Sequence, residues 1–363
     1  MHVNSEPVLV IAEAGVNHNG RSDLAFALVE AAAKALADVV KFQTFKAEHL
    51  VTRDAPKAEY QVRQTGGGES QFEMLKRLEL SPRLHHELKA EAERRGLQFL
   101  STAFDRESLR FLVDELGLRR LKLPSGELTN APFLLEHART GAALIVSTGM
   151  ATLGEVEAAL GVIAFGRISG TQERPCRAAF QAAYLSLEGQ AALRQGVTLL
   201  HCTSDYPAPP ESVNLRAMDA MGAAFGLPVG YSDHTLGAAA SVAAVARGAC
   251  VIEKHFTLDR AMEGPDHAAS LEPEALAAMI GDIRTVEACL GDGIKRPQPA
   301  ELATIGVARK SLVALRPIRA GEAFGEANLG CMRPGTGLSP MDYWAWLGKR
   351  ASRDHAEGSL IDE

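Results

Sequence analysis

The chain has 363 residues, 46% of them hydrophobic, which is enough apolar side chain for a sizeable core and argues against disorder. The formal net charge of −7 excludes an overall basic surface for nucleic acid or an anionic membrane. The five cysteines are scattered and odd in number, which favours buried thiols over a disulfide framework. No apolar stretch reaches transmembrane length and no signal-peptide pattern precedes the first predicted strand, so we expect a cytoplasmic protein.

Short apolar runs recur along most of the chain, and each is followed by a segment with helical periodicity. We predict eight strands, over residues 8–13, 39–43, 98–102, 120–123, 144–148, 197–202, 228–232 and 251–254. The predicted helices cover residues 23–36, 82–95, 106–116, 131–140, 153–165, 212–221, 238–247 and 273–290. This alternation predicts parallel βαβ units, and eight repeats predict a (β/α)8 TIM barrel. An open doubly wound sheet is the alternative, but no Gly-x-Gly-x-x-Gly motif follows the first strand.

Two insertions interrupt the alternation of strands and helices, and the amino-acid composition changes after residue 290. Residues 46–71 are polar and glycine-rich, which predicts a mobile loop over the barrel top, and residues 166–195 are expected to add a small helix. We predict the barrel domain at residues 1–290 and a linker rich in glycine, proline and charge at 291–304. Residues 305–363 show short β-like runs and predict a small β-rich domain that docks on the barrel or on a partner subunit.

Polar residues stand at the carboxyl ends of all eight predicted strands, where barrel enzymes carry their chemistry. Each of them alone could be a capping or solvated residue, but the repetition predicts an active site. His234 and His255 close the last two strands, and two neutral imidazoles on neighbouring strands can bind a divalent metal ion. The spacing also allows two unrelated loop residues, because neither histidine belongs to a zinc-type motif.

The mixture of side chains indicates the class of ligand. Lys41 and Lys122, with nearby Ser and Thr hydroxyls and glycine-flanked amides, suit a phosphate and a carboxylate. Glu13, Glu127 and Asp266 can bind a hydroxyl-rich substrate or transfer protons. A metal ion at the histidines would polarise a carbonyl group. These residues together predict a phosphorylated acid and a carbonyl-bearing polyol as substrates.

Eight short segments carry a resemblance to a known family. They are IAEAGVNHNG at 11–20, VKFQT at 40–44, LPSGE at 123–127, HCT at 201–203, GYSDHT at 230–235, EKHFT at 253–257, GPDH at 264–267 and RPGTG at 333–337. With these segments the chain resembles the sialic acid synthase family, the bacterial N-acetylneuraminate synthases and their legionaminate and pseudaminate relatives. The resemblance covers nearly the whole chain, and the last segment marks the family's antifreeze-like (SAF) domain.

The resemblance implies an activity and a set of site residues. The activity is condensation of phosphoenolpyruvate with an acylated amino sugar in its open-chain form, N-acetylmannosamine in the type reaction, with release of phosphate by C–O cleavage. The implied metal is Mn2+, or else Mg2+ or Co2+, at His234 and His255. The implied catalytic residues are Glu13, Lys41, Lys122 and Glu127. Phosphoenolpyruvate would be bound by Lys41, Thr102, Lys122, Ser125, Ser204 and Ser232. The sugar would be bound by Gln43, Glu127, Tyr206, Asp266 and Arg333.

Arg333 belongs to the small domain, and the resemblance implies that it acts on the other subunit of a domain-swapped homodimer. Ser204 departs from the family pattern, since many sialic acid synthases carry Asn there. Residues 202–209 and 262–267 resemble the legionaminate branch at least as much, so an N,N'-diacetyllegionaminate or pseudaminate synthase is an alternative.

Two further alternatives belong to other classes of protein. One is an aldolase that forms a Schiff base through Lys41, Lys122 or Lys254. The other is a sugar-binding module without catalysis, built on the antifreeze-like domain. A full set of polar strand ends favours an enzyme over the binding module.

Overall fold

Eight parallel strands form a closed barrel in chain order, which confirms the predicted TIM barrel. The computed structural model describes residues 6–66, 68–170 and 172–362, apart from the side chains of Tyr60 and Arg63. The barrel strands are β1 Leu9–Gly15, β2 Val39–Thr44, β3 Gln98–Ala103, β4 Arg120–Leu123, β5 Ala143–Ser147, β6 Val197–Cys202, β7 Val229–Asp233 and β8 Val251–His255. Strand β8 pairs with β1 and closes the barrel.

A helical segment follows each strand and covers the outside of the barrel. In chain order these are Ser22–Lys34, Pro82–Arg94, Arg106–Arg110 continued by a π-helix Phe111–Glu115, Ala131–Arg139, Leu153–Ile168, Arg216–Phe225, Ala239–Ala246 and Pro273–Leu290. Local sequence explains several helix starts. The Ser81 hydroxyl accepts a hydrogen bond from the amide of Leu84, and Pro82 occupies the first turn, where its missing N–H costs nothing.

The helix predicted at residues 212–221 begins and ends later than expected. A short 3-10 turn, Pro210–Ser212, comes first, and Asn214 then takes a left-handed backbone with φ of 47°. Because a right-handed helix cannot continue through that conformation, the helix begins only at Arg216. It ends at Gly226, whose φ of 62° forms a left-handed C-terminal cap.

Both insertions contain more helix than the sequence predicts. The first contains Ala47–Leu50 and Glu59–Thr65 and runs into a third helix, Gln71–Leu78. The buried ammonium group of Lys57 ties it together by hydrogen bonds to the Thr65 hydroxyl and the Gly66 carbonyl. The second insertion contains two helices where one was predicted, namely Arg177–Leu185 and Leu187–Gly196. Gly67 and Thr171, which fall in these predicted insertions, lie outside the described residues.

Residues from Gly293 onward form a second compact unit with its own small core. It contains a 3-10 turn Pro299–Glu301, a helix Leu302–Ala308, antiparallel strands β9 Ser311–Ala314 and β10 Leu329–Met332, a 3-10 turn Pro340–Asp342 and a helix Tyr343–Trp346. Its core residues are Leu312, Ala314, Ile318, Phe324, Leu329, Ala351 and Ile361. The helix Leu302–Ala308 crosses the predicted boundary between linker and small domain. Within the described residues, no helix is both long and apolar enough to cross a membrane.

Candidate active site

The barrel interior is built of an apolar layer beneath a polar layer. Side chains no more than 5% exposed fill the apolar layer, from Ile11, Val39, Leu100, Ile145, Leu200 and Val251. Because side chains alternate between the two faces of a strand, the residue two positions later also faces the interior, nearer the carboxyl end. Those residues are Glu13, Lys41, Thr102, Ser147, Cys202 and Glu253. The two-residue period of the strands therefore brings two acids, a lysine, two hydroxyls and a thiol together directly above the apolar layer.

Lys41 lies at the centre of the polar layer. Its Nζ is 2.8 Å from Glu13 Oε2, 3.5 Å from Glu253 Oε2 and 3.0 Å from Thr102 Oγ1, and the lysine is only 3% exposed. Burial raises the pKa of Glu13 to about 7, with Lys41 acting in the opposite direction. A carboxyl group with a pKa near neutrality can both give and take a proton, which is the property of a general acid or base.

Lys122 forms the other half of the charged cluster. Its Nζ donates a 2.6 Å hydrogen bond to Ser147 Oγ and lies 3.7 Å from Glu253 Oε1. Burial opposes ionisation of Glu253, but Lys122 and Lys41 outweigh it and lower the pKa of this carboxyl to about 2. Ser232 donates a 2.8 Å hydrogen bond to Glu253 Oε1. Two buried lysines thus face two buried carboxylates, and their ammonium groups are placed to bind an anion at this end of the barrel.

A small cradle of polar atoms lies beside Gly149. The amide of Gly149 donates a 3.0 Å hydrogen bond to Ser125 Oγ, which is also 3.1 Å from Cys202 Sγ. A Cβ atom at Gly149 would collide with Ser204 Oγ and lie 2.8 Å from Ser125 Oγ. Because Gly149 has no side chain, the hydroxyls of Ser125 and Ser204, the thiol of Cys202 and the amide of Gly149 can lie close together.

His234, which directly follows β7, and His255, the last residue of β8, lie side by side with ring centroids 5.7 Å apart. The Nδ1 of His234 is 2.6 Å from the carbonyl oxygen of Thr203 and must carry the hydrogen, so Nε2 carries a lone pair, with the Ser232 hydroxyl oxygen 3.4 Å away. Burial lowers the pKa of His234 to about 4, and burial together with His234 lowers the pKa of His255. Both imidazoles are therefore neutral at physiological pH, which is the form that binds metal ions.

The histidine pair fits a divalent metal ion on the chemistry of its nitrogen atoms. The buried Nδ1 of His255 has no hydrogen-bond partner among the described residues, and the nearest acid, Asp266, is 4.0 Å away. Tyr206 packs its ring over both imidazoles, with centroids 4.1 Å from His234 and 5.7 Å from His255. No group of three or more His, Cys, Asp or Glu side chains within the described ranges is arranged as a metal cluster. A metal ion here would have two protein nitrogens and would need further ligands from water or substrate.

Asp266 lies beside the histidines, in a loop that is hydrogen-bonded to the loop after β1. His267, the next residue, lies with Nε2 3.1 Å from Asn19 Oδ1 and Nδ1 2.6 Å from Thr257 Oγ1. Asn19 also donates to the carbonyl of Glu263. Burial raises the pKa of Asp266 to about 6. The loops after β1 and β8 are therefore tied together, which fixes a carboxyl group at the edge of the histidine pair.

The structure places most of the sequence-predicted site residues at the carboxyl ends of the strands, where hydrogen bonds, ion pairs and ring contacts join many of them into a network. Its members are Glu13, Lys41, Gln43, Thr102, Lys122, Ser125, Ser204, Tyr206, Ser232, His234, His255 and Asp266. Glu127 lies at the edge, in the 3-10 turn Ser125–Glu127, where its carboxylate accepts a hydrogen bond from Asn130. Arg333 lies in the second unit, where its Nε donates to the carbonyl of Ala308.

Sequence reasoning did not select four residues that the geometry makes central. Glu253 joins both lysines, Ser147 accepts from Lys122, and Gly149 and Cys202 form the cradle around Ser125. Their signal in the sequence is the strand period, since Glu253 lies two residues before His255 and faces the same side of β8.

Comparison with known proteins identifies the class to which this fold and site belong. The profile of the NeuB family matches residues 28–295, and that of the SAF domain matches residues 309–363. The chain therefore belongs to the NeuB family, and the resemblance inferred from its short segments is confirmed.

Individual relatives match along the whole length. An N,N'-diacetyllegionaminic acid synthase from Campylobacter jejuni is 49% identical over 355 residues, covering 98% of this chain and 99% of that protein. The synthase of the same name from Legionella pneumophila is 43% identical and covers 99% of this chain and 94% of that protein. The crystal structure of an N-acetylneuraminic acid synthetase from Leptospira borgpetersenii is 30% identical, with a TM-score of 0.65 over 83% of this chain and 90% of that chain.

Proposed function

We propose that the chain is a nonulosonic (sialic) acid synthase that condenses phosphoenolpyruvate with an acylated amino sugar. One observation carries the proposal, namely that a buried pair of lysines and a pair of neutral histidines lie at the same end of the barrel, at the carboxyl ends of its strands. The lysines suit the phosphate and carboxylate of phosphoenolpyruvate, and the histidines suit a metal ion facing a carbonyl group. Membership of the NeuB family supports the same activity.

The proposed reaction uses the residues in distinct roles. Lys41, Lys122 and the cradle hydroxyls hold phosphoenolpyruvate while its C3 carbon forms a bond to the aldehyde carbon of the open-chain sugar. Water then adds at C2, the C2–O bond breaks, and the oxygen leaves with the phosphate. Glu13, with a pKa of about 7, is positioned to exchange the proton of that water or of the sugar oxygen.

We propose Mn2+ as the metal at His234 and His255, with Mg2+ or Co2+ as alternatives. When bound, such an ion would polarise the aldehyde oxygen as a Lewis acid. Asp266 and Tyr206 surround the histidines and would orient the sugar around that oxygen.

Within this class, the relatives favour one acceptor sugar. Two N,N'-diacetyllegionaminic acid synthases match this chain over nearly its full length, at 49% and 43% identity. We therefore propose 2,4-diacetamido-2,4,6-trideoxymannose ahead of N-acetylmannosamine. A Schiff-base aldolase is disfavoured for Lys254, since its ammonium group is fully buried and paired with Asp233. It would have to use Lys41 or Lys122.

The second unit and the location complete the proposal. We propose that residues 1–290 carry the chemistry and that residues 305–363, after the linker at 291–304, serve a domain-swapped homodimer in which Arg333 contacts the sugar bound to the other subunit. A cytoplasmic location is proposed because all five cysteines are free thiols, which a reducing compartment preserves.

Phosphate release tests the function directly. The purified protein with Mn2+ and phosphoenolpyruvate would be given N-acetylmannosamine, 2,4-diacetamido-2,4,6-trideoxymannose or the altrose isomer of the latter. We expect sugar-dependent phosphate release, fastest with the trideoxymannose. Preference for N-acetylmannosamine or the altrose isomer would reassign the acceptor to the N-acetylneuraminate or pseudaminate branch. No release with any sugar, or trapping of pyruvate on a lysine by borohydride, would contradict the synthase.

Gly149→Ala is expected to raise the KM for phosphoenolpyruvate by about 10- to 100-fold. The new methyl group would occupy the space between Ser125 and Ser204, and each hydrogen bond lost to a charged group contributes about 1.5–3 kcal/mol. Gly126→Ala is the matched control, because a Cβ there has open space. Steady-state kinetics at fixed sugar would measure both variants. Equal KM values for the two variants would remove the cradle from the binding site.

A further inference from the structure

A second pair of charges lies on the outer face of the two strands that carry the histidines. The Nζ of Lys254 is 3.0 Å from Asp233 Oδ2, and both side chains are fully buried. Asp233 and Lys254 are direct partners in the β7–β8 pairing. Each is followed immediately by a histidine, His234 or His255, whose side chain faces the barrel interior.

The pair also fixes the backbone just after His234. Asp233 Oδ1 accepts 2.8 Å hydrogen bonds from both the amide and the hydroxyl of Thr235, and Lys254 Nζ donates to the Thr235 carbonyl at 2.5 Å. Asp233 Oδ2 accepts a 2.6 Å hydrogen bond from Ser241, on the helix Ala239–Ala246. The turn that follows β7 is therefore tied to its own strand, to β8 and to the covering helix.

The two histidines differ in how their side chains are held. The His234 ring is oriented by its hydrogen bond to the carbonyl of Thr203. The Nδ1 of His255 has no such bond within the described residues, so this ring is directed by packing, including its contact with Tyr206, and by the position of the β8 backbone. A shift of β8 against β7 would change the distance between the imidazoles, and the Asp233–Lys254 pair resists that shift.

We propose that Asp233 and Lys254 are positioning residues for the histidine pair, setting the separation of the two imidazoles and hence the affinity for a divalent cation. The inference rests on the proposed function only in taking His234 and His255 as metal ligands. Groups that orient metal ligands from outside the coordination sphere typically change metal affinity by about 10- to 100-fold when removed. The pair would act through His255 above all, because no hydrogen bond from the described residues holds the Nδ1 of that ring.

The test is a titration of the full-length protein with MnCl2, in which free Mn2+ is measured by electron paramagnetic resonance. Lys254→Met and the double variant D233N/K254M are expected to bind Mn2+ about 10- to 100-fold more weakly, with far-UV circular dichroism like that of the wild type. The double variant leaves no unpaired buried charge, so it tests the idea even where the single variant does not fold. Lys254→Arg is expected to recover part of the affinity.

Arg284→Met is the control for an ion pair elsewhere in the barrel. Arg284 pairs with Asp38 at 2.7 Å, but that pair is half-buried and lies at the amino end of the strands, away from the histidines. It should lower stability without changing Mn2+ affinity. Suppose that D233N/K254M and the wild type bind Mn2+ equally while His255→Ala abolishes binding. That result would overturn the positioning role alone. Wild-type binding that does not depend on His234 and His255 would overturn the proposed metal site as well.

Discussion

His255→Ala is expected to lower metal-dependent turnover by about a thousand-fold while the barrel still folds. Lewis-acid stabilisation of a developing oxyanion contributes several kcal/mol, and each 1.36 kcal/mol corresponds to about a tenfold change in rate. The fold should survive because the Nδ1 of His255 makes no hydrogen bond within the described residues, and the backbone pairing of β8 with β1 does not need the ring. Phosphate release and Mn2+ binding would be measured on the same preparation.

The control for this variant is His86→Ala, the same substitution at an exposed position on the helix Pro82–Arg94. It should leave turnover and Mn2+ affinity unchanged. A His255→Ala protein that keeps more than about a tenth of the wild-type turnover would contradict the metal role, since that loss corresponds to only about 1.4 kcal/mol.

Lys41→Met is expected to abolish measurable turnover and to lower the free energy of unfolding by about 3 kcal/mol. The substitution removes the ammonium group that lies between Glu13 and Glu253, and removing one partner of a buried charge pair typically costs about 3–5 kcal/mol. Binding of phosphoenolpyruvate should fail as well, because the pocket loses half of its positive charge. Urea denaturation followed by circular dichroism, and calorimetric titration with phosphoenolpyruvate, would measure the two effects.

Two further variants separate charge from folding in this cluster. Lys46→Met removes a lysine from the same strand end, but one whose side chain is 35% exposed, and it should be nearly neutral in both measurements. K41M/E13Q removes one of the two facing carboxylates and should recover part of the stability but none of the activity. Recovery of activity in that double variant would show that Lys41 serves folding rather than binding.

The sequence was sufficient to predict the barrel because strand and helix periods are local properties. Each apolar strand followed by a helical pattern is visible within about 30 residues, and all eight strands were predicted close to their observed positions. The same alternation correctly directs Glu13, Lys41 and His255 to one interior face. Strand positions, helix positions and the face of a strand on which a residue lies depend on nearby residues only, so they could be predicted from the sequence.

The parts that could not be predicted depend either on contacts between distant strands or on turns too short to give a periodic signal. The importance of Glu253 comes from Lys41 and Lys122, which lie on β2 and β4 and are distant from it in the sequence. The delayed start of the helix at Arg216 depends on the left-handed backbone of Asn214, which the helical periodicity does not indicate. The position of Glu127 at the edge of the network is set by a turn of three residues, too short for any periodic signal.

The apolar layer beneath the charged cluster has a consequence for substrate entry and product release. Six side chains, each at most 5% exposed, fill the barrel below Glu13 and Lys41, so we expect substrates to reach the polar layer from the other side, among the loops at the carboxyl ends of the strands. Released phosphate is then expected to leave by the same side. Replacing a residue in these loops can therefore slow both substrate entry and phosphate release. A substitution in the apolar layer is expected to change the free energy of unfolding instead.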